Sequence, residues 1–252
     1  MNFVVCCKRV PETIARIKIA ADGRSIDWQG VQPIISPYDE LALECALRLK
    51  EKGGGQVVAL SVDPDGQETL LRNKALPLGA DKAVLVKGGP NFDGYAVARI
   101  IAETLKTVPF DVCFFGKQAI DDDGGCVAAM VAEMLGLPRV NTCVGLEIDG
   151  RTAKCRRQIE GGEELIDAPL PCIIGVQKGI NGVHEARFPG IKGIMAAKSK
   201  PFEVRPAPAV EATMEVVKME LPPDRPPGRI VGQGKDAVKE LVRILREEAK
   251  VL

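Results

Sequence analysis

The chain has 252 residues, with 34 basic and 34 acidic side chains, one histidine and eight cysteines. A chain of this length can bury a core without covalent staples, as one generous domain or two modest ones. A net charge of zero leaves no long-range field to draw in nucleic acid or an anionic membrane. The N-terminus lacks a charged region followed by an apolar segment and a cleavage site, and no run approaches the ~20 apolar residues of a membrane span, so a soluble, intracellular protein is expected.

"FVVCC" (3–7) is a short apolar run that reads as a buried strand. "PYDELALECALRLKEK" follows, with apolar residues at 42, 45, 46 and 49, the spacing of a helix with one buried face. "QVVALSV" (56–62) and "KAVLVK" (82–87) read as two further strands. "DGYAVARIIAETLK", apolar at 97, 100, 101 and 105, reads as a second helix. "DVCFF" (111–115) is a fourth strand, and "GGCVAAMVAEMLG" is a helix that is small and apolar throughout. Alternating strands and helices predict an open α/β sheet, mainly parallel, with helices on both faces and ligands beyond the carboxyl ends of the strands. After Pro138 the pattern alternates, with "DG" and "GG" as turn signals, predicting a small antiparallel excursion before the last buried strand in "PLPCIIGVQ" (169–177). From Lys198 the chain is rich in proline and charge and ends in "GKDAVKELVRILREEAKVL", whose apolar residues at 238, 241, 242, 245 and 249 form one helical stripe. The expected organisation is an α/β domain over 1–197 and, over 198–252, an arm and amphipathic helix that lie on a partner subunit.

Chemistry is sparse. His184 is alone in a polar loop, and there is no G-x-S-x-G, H-E-x-x-H or phosphate-binding P-loop. The cysteines show no C-x-x-C, and Cys6 and Cys7 are adjacent on a strand and so face opposite ways; they read as small buried hydrophobes in a reducing compartment, with no metal site. Binding, or redox chemistry carried by a cofactor, is what remains. One stretch stands out at the end of a strand, "GKQAIDDDGG" (116–125). Its acids, Asp121, Asp122 and Asp123, admit three readings: a metal site, an acidic helix start that caps free N–H groups, or one wall of a nucleotide pocket in which glycines admit a phosphate and carboxylates meet ribose hydroxyls.

"CCKRVPE", "ISPYDELALECALRLKEKG", "QETLLRNKALPLGADKAVLV", "FGKQAIDDD", "EGGEELIDAPLPCIIGVQ" and "IKGIMAAKSKPFEV" occur in an order that resembles the β subunits of the electron transfer flavoprotein family along nearly the whole chain. The resemblance implies a nucleotide-binding fold of the adenine nucleotide α hydrolase-like kind. It implies a heterodimer whose α subunit holds the redox-active FAD, and a pocket in this chain for AMP or, in the electron-bifurcating branch, a second FAD. The chain would be an electron-carrier subunit and not an enzyme, taking electrons from dehydrogenases such as those acting on acyl-CoA and passing them to a downstream oxidoreductase, in the cytoplasm or, in a eukaryote, the mitochondrial matrix.

Carried across residue by residue, the resemblance implies a nucleotide pocket of Cys6, Ser36, Pro37, Tyr38, Asp39, Val62, Gly116, Lys117, Gln118, Ala119, Ile120, Asp121, Asp122, Asp123, Gly124, Gly125, Cys126 and Val127, mostly through backbone groups. Thr13 and Arg157 would lie near the partner's flavin. A loop of Arg187, Phe188, Pro189, Gly190, Ile191, Lys192, Gly193, Ile194, Met195 and Ala196 would dock dehydrogenases, with Ile191 as its apolar anchor. After the three acids the family has a Gln and a Thr or Val followed by Gly, where this chain has Gly124, Gly125, Cys126, Val127 and Ala128, and Lys192 replaces a usual Pro. "KRVPET" is similar to the bifurcating branch and "AIDDD" to the conventional one, with the balance toward AMP. The alternatives are an adenine-nucleotide sensor or hydrolase using Asp121 to Asp123 with Mg²⁺, and an adaptor whose pocket is vestigial.

Overall fold

A computed structural model describes residues 1–88, 92–224 and 227–252; residues 225 and 226 of the proline-rich arm lie outside the described residues. The elements in chain order are β1 (Asn2–Cys6), β2 (Arg9–Pro11), β3 (Lys18–Ile19), β4 (Ile26–Asp27), β5 (Pro33–Ile35), α1 (Pro37–Gly53) and β6 (Gln56–Asp63). A π-helical turn (Leu71–Ala75) runs into α2 (Leu76–Leu78), followed by β7 (Lys82–Lys87), α3 (Gly94–Leu105), β8 (Val112–Gly116) and α4 (Val127–Leu135). Then come β9 (Arg139–Asp149), β10 (Thr152–Ile159), β11 (Gly162–Pro169), β12 (Cys172–Val176), α5 (Ile191–Ala197), β13 (Phe202–Pro206) and α6 (Ala237–Glu247).

One nine-stranded sheet runs in the order β11-β10-β9-β12-β8-β1-β6-β7-β13. Every pairing from β9 to β13 is parallel, and only β10 and β11 run antiparallel to their neighbours. The interior strand β1, next to β8 at the centre, is apolar on both faces because both are covered. Phe3, Val5 and Cys7 join the α1 layer, while Val4 and Cys6 join the layer of α3 and α4. The two adjacent cysteines thus face opposite ways, as their spacing predicts. Helices cover both faces, and the α/β class read from the alternation holds.

The segment after Pro138 extends the main sheet. β9 pairs in parallel with β12 through Ile173↔Arg139 and Ile174↔Val140, and β10 and β11 continue from it as hairpins. The arm differs more from expectation. Residues 202–206 are not extended coil but an edge strand, β13, aligned on β7 from Phe202↔Ala83 to Pro206↔Lys87. Thr213 and Met214 are then tied to Asp93, whose carboxylate accepts from the Thr213 amide at 2.7 Å and the Met214 amide at 2.8 Å. The first compact unit accordingly spans Met1–Val217, and the boundary falls about twenty residues beyond the expected one.

The second unit, Lys218–Leu252, carries α6. No residue of α6 is buried, and Val238, Leu241 and Val242 are exposed on it. Arg243 bridges Glu240 at 2.7 Å and Glu247 at 2.9 Å on the polar side. Among the described residues no helix is long and apolar enough to cross a membrane.

Candidate functional site

The carboxyl ends of β1, β6 and β8 converge on the first turn of α1. Pro37 opens that helix, with its fixed φ suited to the first position. Asp39, two residues on, is buried beneath the strand ends. Its Oδ2 accepts from the Lys8 amide at 2.9 Å and its Oδ1 from the Gly116 amide at 2.8 Å, so one carboxylate joins the ends of β1 and β8. Gly116 fits only because it lacks a side chain: a Cβ there would stand 2.6 Å from Tyr38 Cβ and 2.8 Å from the Tyr38 carbonyl carbon. Burial pushes the Asp39 carboxyl up to about 7, against the two amides and the Lys8 charge, which pull it down. Burial likewise raises the thiols of Cys6 and Cys7, so both stay protonated and neither is a ready nucleophile.

The three acids do not begin a helix. Residues 117–126 form a turn and loop, α4 starts at Val127, and Cys126 at its cap makes no side-chain bond. Two of the acids grip a lysine: Lys8 Nζ reaches Asp121 Oδ1 at 2.8 Å and Asp122 Oδ2 at 2.9 Å. Asp122 also accepts the Gly124 amide at 3.0 Å, and Asp123 accepts Gln118 Nε2 at 2.7 Å. Desolvation works to raise the Asp122 carboxyl, and donation from Gly124 and Lys8 outweighs it and holds the group below its usual range. Asp123 and Gly125 both take positive φ, 49° and 60°, where glycine is comfortable and aspartate is tolerated. The helix-start reading is therefore corrected: in sequence the acids abut an apolar helical pattern, but the two turn glycines delay the helix by several residues. Among the described residues no three His, Cys, Asp or Glu side chains gather as a metal-holding group.

What the loop leaves free is the start of α4, whose first amides have no side-chain partner. Those amides suit a phosphate, held by backbone N–H groups, with no hydroxyl at 126 or 127 to add; the Lys117 ammonium lies 5.0 Å from the Tyr38 ring centroid at the start of α1. Ser36, at the start of α1, is fully buried and its hydroxyl has no partner. Val62, half-buried, is the last residue but one of the neighbouring strand β6.

A second ion pair at the strand ends was not anticipated. Arg9 Nε meets Asp63 Oδ2 at 2.6 Å, its Nη2 reaches Asp65, and its guanidinium lies 4.4 Å from the Trp28 ring centroid. The signal was present: Lys8 and Arg9 follow β1, and Asp63 ends β6, the positions where an open parallel sheet places its chemistry.

Thr13 is exposed in a turn, and Arg157 is exposed on β10, where it pairs with Glu164 at 3.3 Å. No hydrogen bond among the described residues joins either to the strand-end cluster. The expected docking loop is a loop only as far as Gly190. From Ile191 it is helix α5, and Phe188, Ile191, Ile194 and Met195 are all exposed. His184 is exposed in its loop. A cavity of about 910 Å³ lies elsewhere, between α1 and β9–β11, lined by Phe3, Arg48, Leu49, Leu146, Ile148 and Lys154 among others, and one of about 570 Å³ lies beside Tyr95 and Arg99. The candidate nucleotide residues line neither.

Residues 25–210 match the family described as the electron transfer flavoprotein domain. The chain is 36% identical over 263 residues to the electron transfer flavoprotein subunit beta of Bacillus subtilis strain 168, with both chains covered in full. It is 36% identical to the subunit beta of Syntrophomonas wolfei, covering all of this chain and 98% of that one. Protein FixA of Azotobacter vinelandii is 35% identical over 87% of this chain and 79% of its own. With a strand-end cluster suited to a phosphate and relatives aligned from end to end, the chain belongs to the electron transfer flavoprotein family, among its β subunits.

Proposed function

We propose that the chain pairs with an α subunit that holds a redox-active FAD, keeps AMP at the carboxyl ends of β1, β6 and β8, and relays electrons from acyl-CoA or related dehydrogenases to a downstream oxidoreductase. The observation that carries this reading is the start of α4, entered through Gly124 and Gly125, whose first amides have no side-chain partner among the described residues. The flavin supplies the redox chemistry, and this chain supplies position and charge. Asp39 holds the strand ends in register, while Lys8 neutralises Asp121 and Asp122 and so lowers their repulsion toward a phosphate. Contacts to the phosphate are backbone contacts, because Cys126 and Val127 offer no hydroxyl. The proline-rich arm and the apolar stripe of α6 are the part that lies on the α subunit, a reading supported by the absence of any buried residue in that helix. The compartment is the cytoplasm, or the mitochondrial matrix in a eukaryote.

Denaturing the α–β complex and identifying the released nucleotides by mass spectrometry tests the pocket directly. FAD and AMP in equal amounts are expected. FAD alone at twice the protomer amount would replace the AMP reading by a bifurcating one, and FAD at one equivalent with no second nucleotide would make the pocket vestigial. In the same complex Ile191→Ala is expected to weaken docking of an acyl-CoA dehydrogenase by about 1.5–3 kcal/mol, the value of one buried aliphatic side chain, read as a raised apparent KM for the carrier.

A further inference from the structure

α5 buries none of its residues, and its apolar side chains point to solvent: Phe188, just before it, is 90% exposed and Ile191 is 83% exposed. A short apolar segment of this kind would ordinarily fold down on its own surface. Instead α5 rests on α2 through Gly193 with its apolar side chains outward, and it is anchored on either side. On the N-terminal side Arg187 is clamped to α1. Glu44 Oε2 accepts from the Arg187 amide at 3.2 Å and from its Nε at 2.7 Å, while Glu44 Oε1 accepts from its Nη2 at 3.1 Å. Glu51, two turns along the same helix, takes the remaining nitrogen Nη1 and also Nη2. All three guanidinium nitrogens and the main-chain amide of one residue are thus committed to two carboxylates. In the first turn of α5 Gly193 presses on α2 so closely that a Cβ would stand 2.3 Å from the Pro77 carbonyl oxygen, and beyond the C-terminus Lys200 Nζ donates to the Leu76 carbonyl at 2.8 Å.

Glu44 is an acid on the buried side of α1, 3% exposed. Desolvation acts to raise its carboxyl, and donation from Arg187 and Arg48 outweighs that, so it stays ionised. A buried charge with this many directed partners fixes geometry better than it adds stability, since the desolvation cost offsets much of the attraction. We infer that Glu44 is a positioning residue for dehydrogenase docking: through Arg187 it sets the height and angle at which α5 presents Phe188, Ile191, Ile194 and Met195. This rests on the docking role proposed for that segment. It reassigns Arg187 from a partner contact to the mount beneath one. Pre-ordering the face removes part of the ordering cost that association would otherwise carry.

The test uses the α–β complex with an acyl-CoA dehydrogenase as electron donor and Glu44→Gln, which keeps the shape and loses the charge. The apparent KM for the carrier is expected to rise about tenfold with kcat unchanged. Direct reduction of the bound flavin by dithionite, which needs no docking, is expected to be unaffected. Hydrogen exchange of the 191–197 amides is expected to speed up about tenfold while that of β1, β6 and β8 is unchanged. Arg187→Lys, which keeps charge and loses the fork, is expected to give the same pattern more weakly. An unaltered KM and unaltered exchange in Glu44→Gln, with Ile191→Ala still raising KM, would overturn the positioning role and leave docking through α5 standing. Unaltered KM in both would remove the docking reading, and this inference with it. Faster exchange throughout the sheet would reduce Glu44 to a general stabiliser and would also overturn it.

Discussion

Replacing Asp39 by alanine is expected to destabilise the folded chain by about 2–4 kcal/mol, measured by urea unfolding at pH 7, because it leaves the Lys8 and Gly116 amides without their acceptor. The same residue sets a pH dependence. Its folded pKa, about 7, lies above that of an aspartate in the unfolded chain, so between the two values the folded state holds a proton that the unfolded state releases. The resulting stability is full below the unfolded value and is lost as pH rises through 7. Unfolding free energy is therefore expected to fall by on the order of 2 kcal/mol between pH 5 and pH 8, and Asp39→Asn, which has no proton to lose, should flatten that slope. A slope equal in the two proteins would mean that Asp39 is ionised throughout. The nearby acid Glu40, also raised by burial, adds a smaller trend of the same sign.

Gly116→Ala is the second large effect. The added methyl meets the Tyr38 main chain, which cannot swing aside as a long side chain would, so the first turn of α1 must move off the end of β8. A loss of about 2–3 kcal/mol is expected from overpacking, with a matching loss of retained adenine nucleotide. Gly124→Ala, only eight residues on, is the internal control: its Cβ would lie 3.5 Å from an Asp122 carboxylate oxygen, an ordinary contact, and its cost should stay within about 0.5 kcal/mol. Equal effects at the two positions would show that the α1–β8 junction is looser than its geometry implies.

The sequence carried the architecture well because periodicity reports burial. "FVVCC", "QVVALSV", "KAVLVK" and "DVCFF" are apolar on both faces and became the central parallel strands β1, β6, β7 and β8. It carried the edges poorly. β13 reads as "FEVRP", with Glu203, Arg205 and Pro206 three of its five residues, and the pairing that makes it a strand lies more than a hundred residues away in β7. The site was legible as a place more than as a set of contacts. "GKQAIDDD" stood at a strand end as expected, but the partners of its acids could not be read from it, because Lys8 is 113 residues from Asp121. For the same reason Arg187 with Glu44 was invisible, and of Arg9 with Asp63 only the strand-end positions were legible: long-range ion pairs leave no periodic trace in the chain. The helix start was misjudged for a local reason, since positive φ at Asp123 and Gly125 ends one turn before the next helix can begin.

β13 has a consequence for order of assembly. The segment bearing α5 leaves the sheet at β12 and rejoins it at the opposite edge, five positions away, so it is a closed span and not a tail. Both of its ends are anchored only when the final strand has found β7, a contact of high sequence separation that chain-closure entropy makes slow to form. The exposed apolar face is therefore presented in its mounted form only by a chain whose sheet is complete, and a partner docking there, as proposed above for a dehydrogenase, would discriminate, without any added device, between finished and unfinished chains.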